Sequence, residues 1–148
     1  MPRFKFRLEA ALSLSKRSLE EQQRRLAHET QKLFQLQEAS QEQERVWQFA
    51  LEGQKDACQS SPQDLGLWQT FTQKQLELLR QREKEALQQE GVVERQRVRL
   101  LEAHQDREKL KKLKEKKKLV FNLKEQRREQ AVLDEAGQII FGRRNSHD

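Results

Sequence analysis

A column of mainly apolar residues recurs at every seventh position along the first third of the chain. It consists of Leu12, Leu19, Leu26, Leu33, Ser40 and Trp47. A seven-residue period under-winds a helix to about 3.5 residues per turn, so this column predicts one side of a left-handed coiled-coil seam. The second column of that seam is half polar, and it runs through Leu8, Ser15, Gln22, Glu29, Leu36, Gln43 and Ala50. Such a seam is weak, and we expect it to need a second helix against it.

A second periodic stretch follows Pro62, which is the only proline between Arg3 and Ala136. Proline is well tolerated at the first position of a helix, because its missing N–H would have no helical partner there. Ser61 is predicted to supply the N-cap oxygen, and Asp64 completes a pattern like a capping box. The seven-residue column of the second helix holds Leu79, Ala86, Val93 and Leu100. The chain is therefore predicted to turn at this proline and fold back on itself.

These patterns predict an all-α fold, in which two long helices form an antiparallel coiled-coil hairpin and the second helix is the longer one. The single hairpin is expected to span residues 1–148, with a first helix over about 5–57, a turn over 58–61, a second helix over about 62–136 and a flexible tail over 137–148. The second helix is predicted to end at about residue 136 because Gly137 follows the last periodic residue, and glycine is the usual residue just after the end of a helix.

The predicted turn also sets the register of the two helices. With a turn centred near residue 60, position i faces about position 119 − i, which places Leu33 near Ala86 and Leu12 near Arg107. Residues beyond about 117 then have no partner on the first helix. We expect this part of the second helix to project as an unpaired segment.

Composition and charge refine this picture. Charged residues make up 36% of the chain and hydrophobic residues 34%, which is typical of long helices with a thin seam and not of a thick core. The net charge of +6 is concentrated at one end, since residues 109–148 contain twelve basic and six acidic residues. Seven lysines lie within residues 109–118 alone. This segment is either a solvated helix surface or a contact surface for an acidic partner.

Nucleic acid is one acidic partner to consider, because lysine-rich segments bind phosphate backbones through counterion release. Base stacking requires aromatic side chains, and Phe121 is the only one near the basic segment. Nucleic acid binding is therefore not expected, although a basic coiled-coil module that binds nucleic acid or ribosomes stays an alternative. A structural coiled coil that associates between molecules is a further alternative.

Candidate catalytic chemistry is sparse. His28, His104 and His147 are isolated, none of them has metal-ligand spacing to Cys58, and no phosphate loop of the P-loop type is present. A two-helix hairpin also lacks the concave pocket in which catalytic groups are positioned. We therefore expect no enzyme activity, no catalytic, cofactor-binding or metal-binding residues, and no cofactor. No apolar run reaches the roughly 20 residues that span a bilayer, and no signal peptide is recognisable.

Aromatic residues are concentrated on both sides of the predicted turn. They are Trp47, Phe49, Trp68 and Phe71. These side chains either close the seam where the helices meet or include exposed anchors for a partner, since aromatic residues dominate interface hot spots. Phe71, Leu78 and Arg82 recur at i, i+7 and i+11, which places them on one stripe of the second helix.

Two parts of the chain carry a family pattern. The first is Phe4–Leu12 followed by Leu19–Ala27, and the second is Glu125–Glu135, a charged segment that ends in Leu-Asp-Glu. Together with the chain length and the central turn, these segments resemble the FliJ family of flagellar export stalk proteins, and the resemblance covers nearly the whole chain. The chain departs from the family at Ala136, where a bulky residue is common.

The resemblance implies an antiparallel coiled coil similar to the central stalk of rotary ATPases, placed in the middle of the hexameric flagellar export ATPase, FliI. It also implies contact with the export gate protein FlhA, a role in cycling export chaperones, and a cytoplasmic location, peripheral at the cytoplasmic face of the inner membrane. By analogy, ATPase contacts are expected at Lys116, Lys117, Lys118, Arg127 and Arg128, and export-gate contacts at Phe71, Leu78 and Arg82. Injectisome stalk proteins share this architecture, so an equivalent role in that system is another alternative.

Overall fold

Residues 2–146, which the computed structural model describes, form two long helices joined by a single turn of 3₁₀ helix. Helix α1 spans Glu9–Ser60, the 3₁₀ turn spans Pro62–Asp64, and helix α2 spans Leu65–Asn145. The predicted fold class is confirmed: the protein is an all-α antiparallel hairpin whose second helix is the longer one. Its residues divide into two compact units, the seam unit Leu19–Ala103 and the terminal unit formed by residues 2–18 and 104–146.

The first helix begins later than the sequence pattern suggests. The Glu9 N–H donates to the Phe6 carbonyl at 3.1 Å, and the residues before this turn are not helical. At the other end, α1 continues to Ser60, and the Ser61 N–H still donates to the Ala57 carbonyl at 3.1 Å. The helix therefore spans Glu9–Ser60, whereas the pattern predicts about 5–57.

The turn between the helices starts at Pro62, as the sequence predicts, but its cap differs. Ser61 takes the N-cap position with φ −144° and ψ 68°, and its hydroxyl makes no capping hydrogen bond. The Asp64 N–H donates instead to the Ser61 backbone carbonyl at 2.9 Å. The first turn is closed by backbone groups, so the predicted side-chain cap is not formed.

Helix α2 does not end at Ala136, as the glycine after it predicts, but continues through Gly137 to Asn145. Glycine ends a helix when it adopts a left-handed conformation, and no glycine among residues 2–146 has a positive φ. A glycine inside a helix costs only about 1 kcal/mol relative to alanine, which the neighbouring turns tolerate. Most of the predicted flexible tail is therefore helical, while His147 and Asp148 lie outside the described residues.

The seam unit buries part of the predicted heptad columns and half-buries the rest. On α1 the buried side chains are Leu19, Gln43, Ala50 and Ala57, and on α2 they are Thr72, Leu79, Ala86, Gln89, Val93 and Gln96. In the column that begins at Leu79, the first three members are buried as their spacing predicts, and Leu100 is half-buried. Four of these ten side chains are polar, so the apolar seam is thin and other interactions have to support it.

Glutamine side chains supply that support by bridging the two helices of the seam unit. Each donor amide nitrogen (Nε2) reaches both a side-chain oxygen and a backbone carbonyl oxygen of its partner. The side-chain distances are 2.7 Å for Gln43–Gln75, 2.5 Å for Gln89–Glu29 and 2.6 Å for Gln96–Gln22. The backbone distances are 3.1, 3.0 and 3.3 Å in the same order.

The composition of the half-polar column of α1 suggests a weak seam. The structure shows instead that its polar side chains bond across the seam and strengthen it. A glutamine side chain is long enough to cross the seam, and each such hydrogen bond stabilises a fold by about 0.5–1.5 kcal/mol. All three pairs keep one register, in which residue i faces residue 118 − i. This lies within one residue of the register predicted from the turn.

A double-mutant cycle on Gln22 and Gln96 is expected to measure this contribution. Gln96→Ala should lower the free energy of unfolding by about 1–2 kcal/mol, and the coupling between Gln22→Ala and Gln96→Ala should be about 1 kcal/mol, because the two amides bond to each other. Urea unfolding of the single and double variants gives both numbers. Gln23→Ala, an exposed neighbour, is the matched control, and coupling near zero would contradict the bridge.

Candidate functional site

An aromatic cluster lies near the turn end of the seam unit. The rings of Phe49 and Trp68 have centroids 6.1 Å apart at 64°, and those of Trp68 and Phe71 are 6.0 Å apart at 78°. Both are edge-to-face contacts, the geometry that aromatic quadrupoles favour. Phe49 is 63% exposed and Phe71 is 37% exposed, whereas Trp68 and Trp47 are half-buried. The tryptophans thus close the seam while the two phenylalanines present rings to solvent.

The position of Trp68 depends on Gly53 of α1. A Cβ atom added at this glycine would lie within 2.5 Å of the ring atoms Cε3 and Cη2 of Trp68, which real Cβ contacts do not allow. Gly53 is therefore the flat site on which the indole ring lies. The sequence pattern does not identify this role, and its only signal is a single glycine inside a long helix.

The predicted gate-contact residues divide between two sites in the seam unit. Leu78 is half-buried and Arg82 is exposed, and both line a shallow groove with Leu36 and Ala39 of α1. Phe71 belongs instead to the aromatic cluster, where it packs against Trp68. The structure brings the first two together and places the third with a different set of neighbours.

The predicted ATPase-contact residues are all exposed on the part of α2 that belongs to the terminal unit. They are Lys116, Lys117, Lys118, Arg127 and Arg128. Arg128 lies 3.6 Å from Glu125 one turn earlier, a surface pair of small energetic weight. Every side chain over residues 126–146 is exposed, so this segment of helix presents its charges on all sides.

The terminal unit pairs further along α2 than the register of the two helices predicts. The Phe4 ring packs against Phe121 with centroids 5.7 Å apart, so the helix is not bare from about residue 117. The reason is that residues 2–6 are not helical, and chain outside a helix can cover more than the roughly 1.5 Å per residue that a helix allows. Near the start of α1, the Lys114 ammonium lies 2.9 Å from the Glu9 carboxylate.

Other chemistry is limited within residues 2–146. No group of three or more His, Cys, Asp or Glu side chains in this range is arranged to hold a metal ion. The same residues include no helix that is both long and apolar enough to cross a membrane. Cys58, next to the turn, is an exposed free thiol.

These features agree with the comparison to known protein families. A family model described as Flagellar FliJ protein matches residues 4–146. The chain belongs to the FliJ family. The matched range includes both end segments that carry the resemblance, so the prediction of the family from the sequence is confirmed. The comparison with curated proteins found no match, and the comparison with solved structures found none either.

Membership in the family indicates the broad role of the chain. It is a structural component of flagellar protein export, and it associates with components of the flagellar export apparatus. The helical coiled-coil fold suits such a role, because long helices present side chains for protein contacts along their whole length.

Proposed function

We propose that this chain is a non-enzymatic stalk component that binds the hexameric export ATPase of the FliI type and the export gate protein of the FlhA type, and that it couples the two. It would work in the cytoplasm, peripheral to the inner membrane, and also contact export chaperones. The observation that carries the proposal is that α2 bears two exposed surfaces of different chemistry. One is cationic and lies in the terminal unit, and the other is apolar and aromatic and lies in the seam unit.

The proposed ATPase surface consists of Lys116, Lys117, Lys118, Arg127 and Arg128. Exposed cations on a solvated helix attract acidic groups and backbone carbonyls without a desolvated pocket. Such contacts mainly raise the association rate and depend on ionic strength. A helix that carries positive charge on all of its faces can also contact several subunits of a ring, as a central stalk has to do.

Reversing these five charges to glutamate is expected to weaken binding to the purified ATPase at least about tenfold in a pull-down or a titration, because attraction becomes repulsion. The matched control reverses five exposed cations of the seam unit: Arg24, Lys32, Lys74, Arg80 and Lys84. It makes the same change in net charge and should leave ATPase binding within about threefold. Undiminished ATPase binding by the five-charge reversal in the terminal unit would contradict the proposed ATPase surface.

The proposed gate surface combines Phe71 of the aromatic cluster with Leu78 and Arg82 of the neighbouring groove. Aromatic and arginine side chains contribute most to protein interfaces when a partner desolvates them. Phe71 is held by Trp68 and is already partly ordered, so little side-chain entropy is lost on binding.

Replacing Phe71, Leu78 and Arg82 together by alanine is expected to weaken binding to the purified cytoplasmic part of the gate protein at least about tenfold, while ATPase binding is retained. Isothermal titration measures both. The matched control replaces Phe34, Leu87 and Arg80, which are exposed and outside the proposed surface. Equal loss in the two variants, or no loss in the first, would contradict the assignment of this surface.

A further inference from the structure

A groove lies in the terminal unit between the segment Phe4–Leu8 and one face of α2. We call it the N-terminal groove, and on α2 it is lined by Leu113, Lys117, Val120, Phe121 and Lys124. Its volume is about 560 Å³, enough for several side chains of a bound segment. None of the residues assigned above to the export gate belongs to it.

The floor of the N-terminal groove is apolar and only partly covered. The Phe4 and Phe121 rings pack together with centroids 5.7 Å apart and form one end of the floor. Beside them, Leu8 is 39% exposed and Val120 is 43% exposed. These side chains leave apolar surface that a bound side chain could remove from water, at about 25 cal/mol for each Å².

The rim of the groove is uniformly cationic. Lys5 and Arg7 approach from the N-terminal segment, and Lys117 and Lys124 approach from α2, while no carboxylate lines the groove. The neighbouring groove of the same unit differs, because Glu9 and Glu115 line it together with basic residues. An occupant of the N-terminal groove therefore has to combine apolar groups with negative charge.

The backbone of the segment adds a third recognition element. Residues 2–6 are not helical. Within this stretch, the Phe6 carbonyl is the one backbone group that forms a backbone–backbone hydrogen bond with another described residue, and its donor is the Glu9 N–H. Phe4 and Lys5 make no backbone–backbone hydrogen bond among the described residues, so an extended chain could pair with them as it does with a sheet edge. Lipid tails and nucleic acid bases use no such edge, and the Phe121 ring is already covered by Phe4.

We propose that the N-terminal groove binds a short extended peptide segment of a partner protein, in which apolar residues alternate with aspartate or glutamate. Alternate apolar side chains would enter the floor while the carboxylates meet the four rim cations. The site goes beyond the contacts proposed above, because it recognises an unfolded acidic segment and not a folded surface. It shares only Lys117 with the proposed ATPase surface.

The test uses the full chain and a labelled synthetic peptide that alternates glutamate with leucine and phenylalanine. Fluorescence anisotropy is expected to show saturable binding that weakens with salt, and methyl NMR signals of Leu113 and Val120 should shift while those of Leu78 do not. Lys117→Glu combined with Lys124→Glu should weaken binding at least about tenfold. The matched control, Lys109→Glu with Lys112→Glu, has the same charge change outside the groove and should stay within about threefold.

Val120→Glu tests the apolar floor and should also weaken binding at least about tenfold, whereas Val132→Glu, exposed and outside the groove, should not. Equal losses in groove and control variants, or equal binding of a peptide with lysine in place of glutamate, would overturn the proposal. So would binding of anionic vesicles or RNA that depends on the groove residues while the peptide does not bind. The test of ATPase binding stays independent of this one if the charges of Lys116, Lys118, Arg127 and Arg128 are reversed and Lys117, which both sites share, is left unchanged.

Discussion

Leu79→Ala is expected to lower the free energy of unfolding of the seam unit by about 3 kcal/mol. Leu79 is 5% exposed and lies in the buried seven-residue column of α2. Removing a buried leucine side chain loses its transfer free energy and leaves a cavity, and the two together typically cost about 2–5 kcal/mol. The seam contains only six buried apolar side chains among the described residues, so a single truncation removes a large share of it.

The measurement is urea unfolding followed by tryptophan fluorescence. The chain has two tryptophans, Trp47 and Trp68, and both belong to the seam unit, so this signal reports that unit alone. Leu87→Ala is the matched control, because Leu87 directly follows the column residue Ala86, points away from the seam and is 67% exposed. It should change the free energy of unfolding by less than about 0.5 kcal/mol. Similar losses in the two variants would show that Leu79 is not a seam residue.

Gly53→Ala is expected to destabilise the seam unit by up to about 2 kcal/mol, although alanine is the better helix former. The new methyl group would overlap the Trp68 ring, which is held by edge contacts to Phe49 and Phe71. Overpacking of this kind costs about 1–3 kcal/mol, more than the roughly 1 kcal/mol that alanine adds through helix propensity. The same urea experiment measures the change.

Two kinds of control give the opposite sign. An added Cβ at Gly66 or at Gly137 meets nothing within 4 Å, so alanine at either site should stabilise the helix by up to about 1 kcal/mol. For Gly137 the signal has to be circular dichroism, since the tryptophans lie in the other unit. In a Trp68→Ala background, Gly53→Ala should become stabilising as well. If it stays destabilising there, the indole ring is not the cause.

The class of fold and the position of the turn follow from short-range rules. The seven-residue column beginning at Leu79 predicts which face is buried, and Pro62 predicts where the second helix starts. The end of α2 is predicted less well. Gly137 is a cap only if it adopts a left-handed conformation, and its spacing in the sequence does not show whether it does.

The candidate surfaces were predictable to different degrees. Exposure of the cationic residues around Lys117 follows from a lysine-rich helix, since such side chains are rarely buried. The stripe of Phe71, Leu78 and Arg82 is less complete, because Trp68 draws the phenylalanine into its own cluster. Trp68 and Phe71 are three residues apart on α2, so their spacing allows this contact, but the position of the indole ring over Gly53 of the other helix does not follow from it.

The sequence by itself therefore determined the helical hairpin and its unequal helices, because heptad spacing and a helix-starting proline act locally. It also determined the membership in the FliJ family, because the segments near both ends of the chain carry the family pattern. Only the tertiary structure decided how the polar column is used, where the indole ring lies and how the N-terminal segment covers α2. The glutamine pairs join residues 32, 60 and 74 positions apart. Such contacts depend on the register and spacing of two helices, and the periodicity of either helix alone does not contain them.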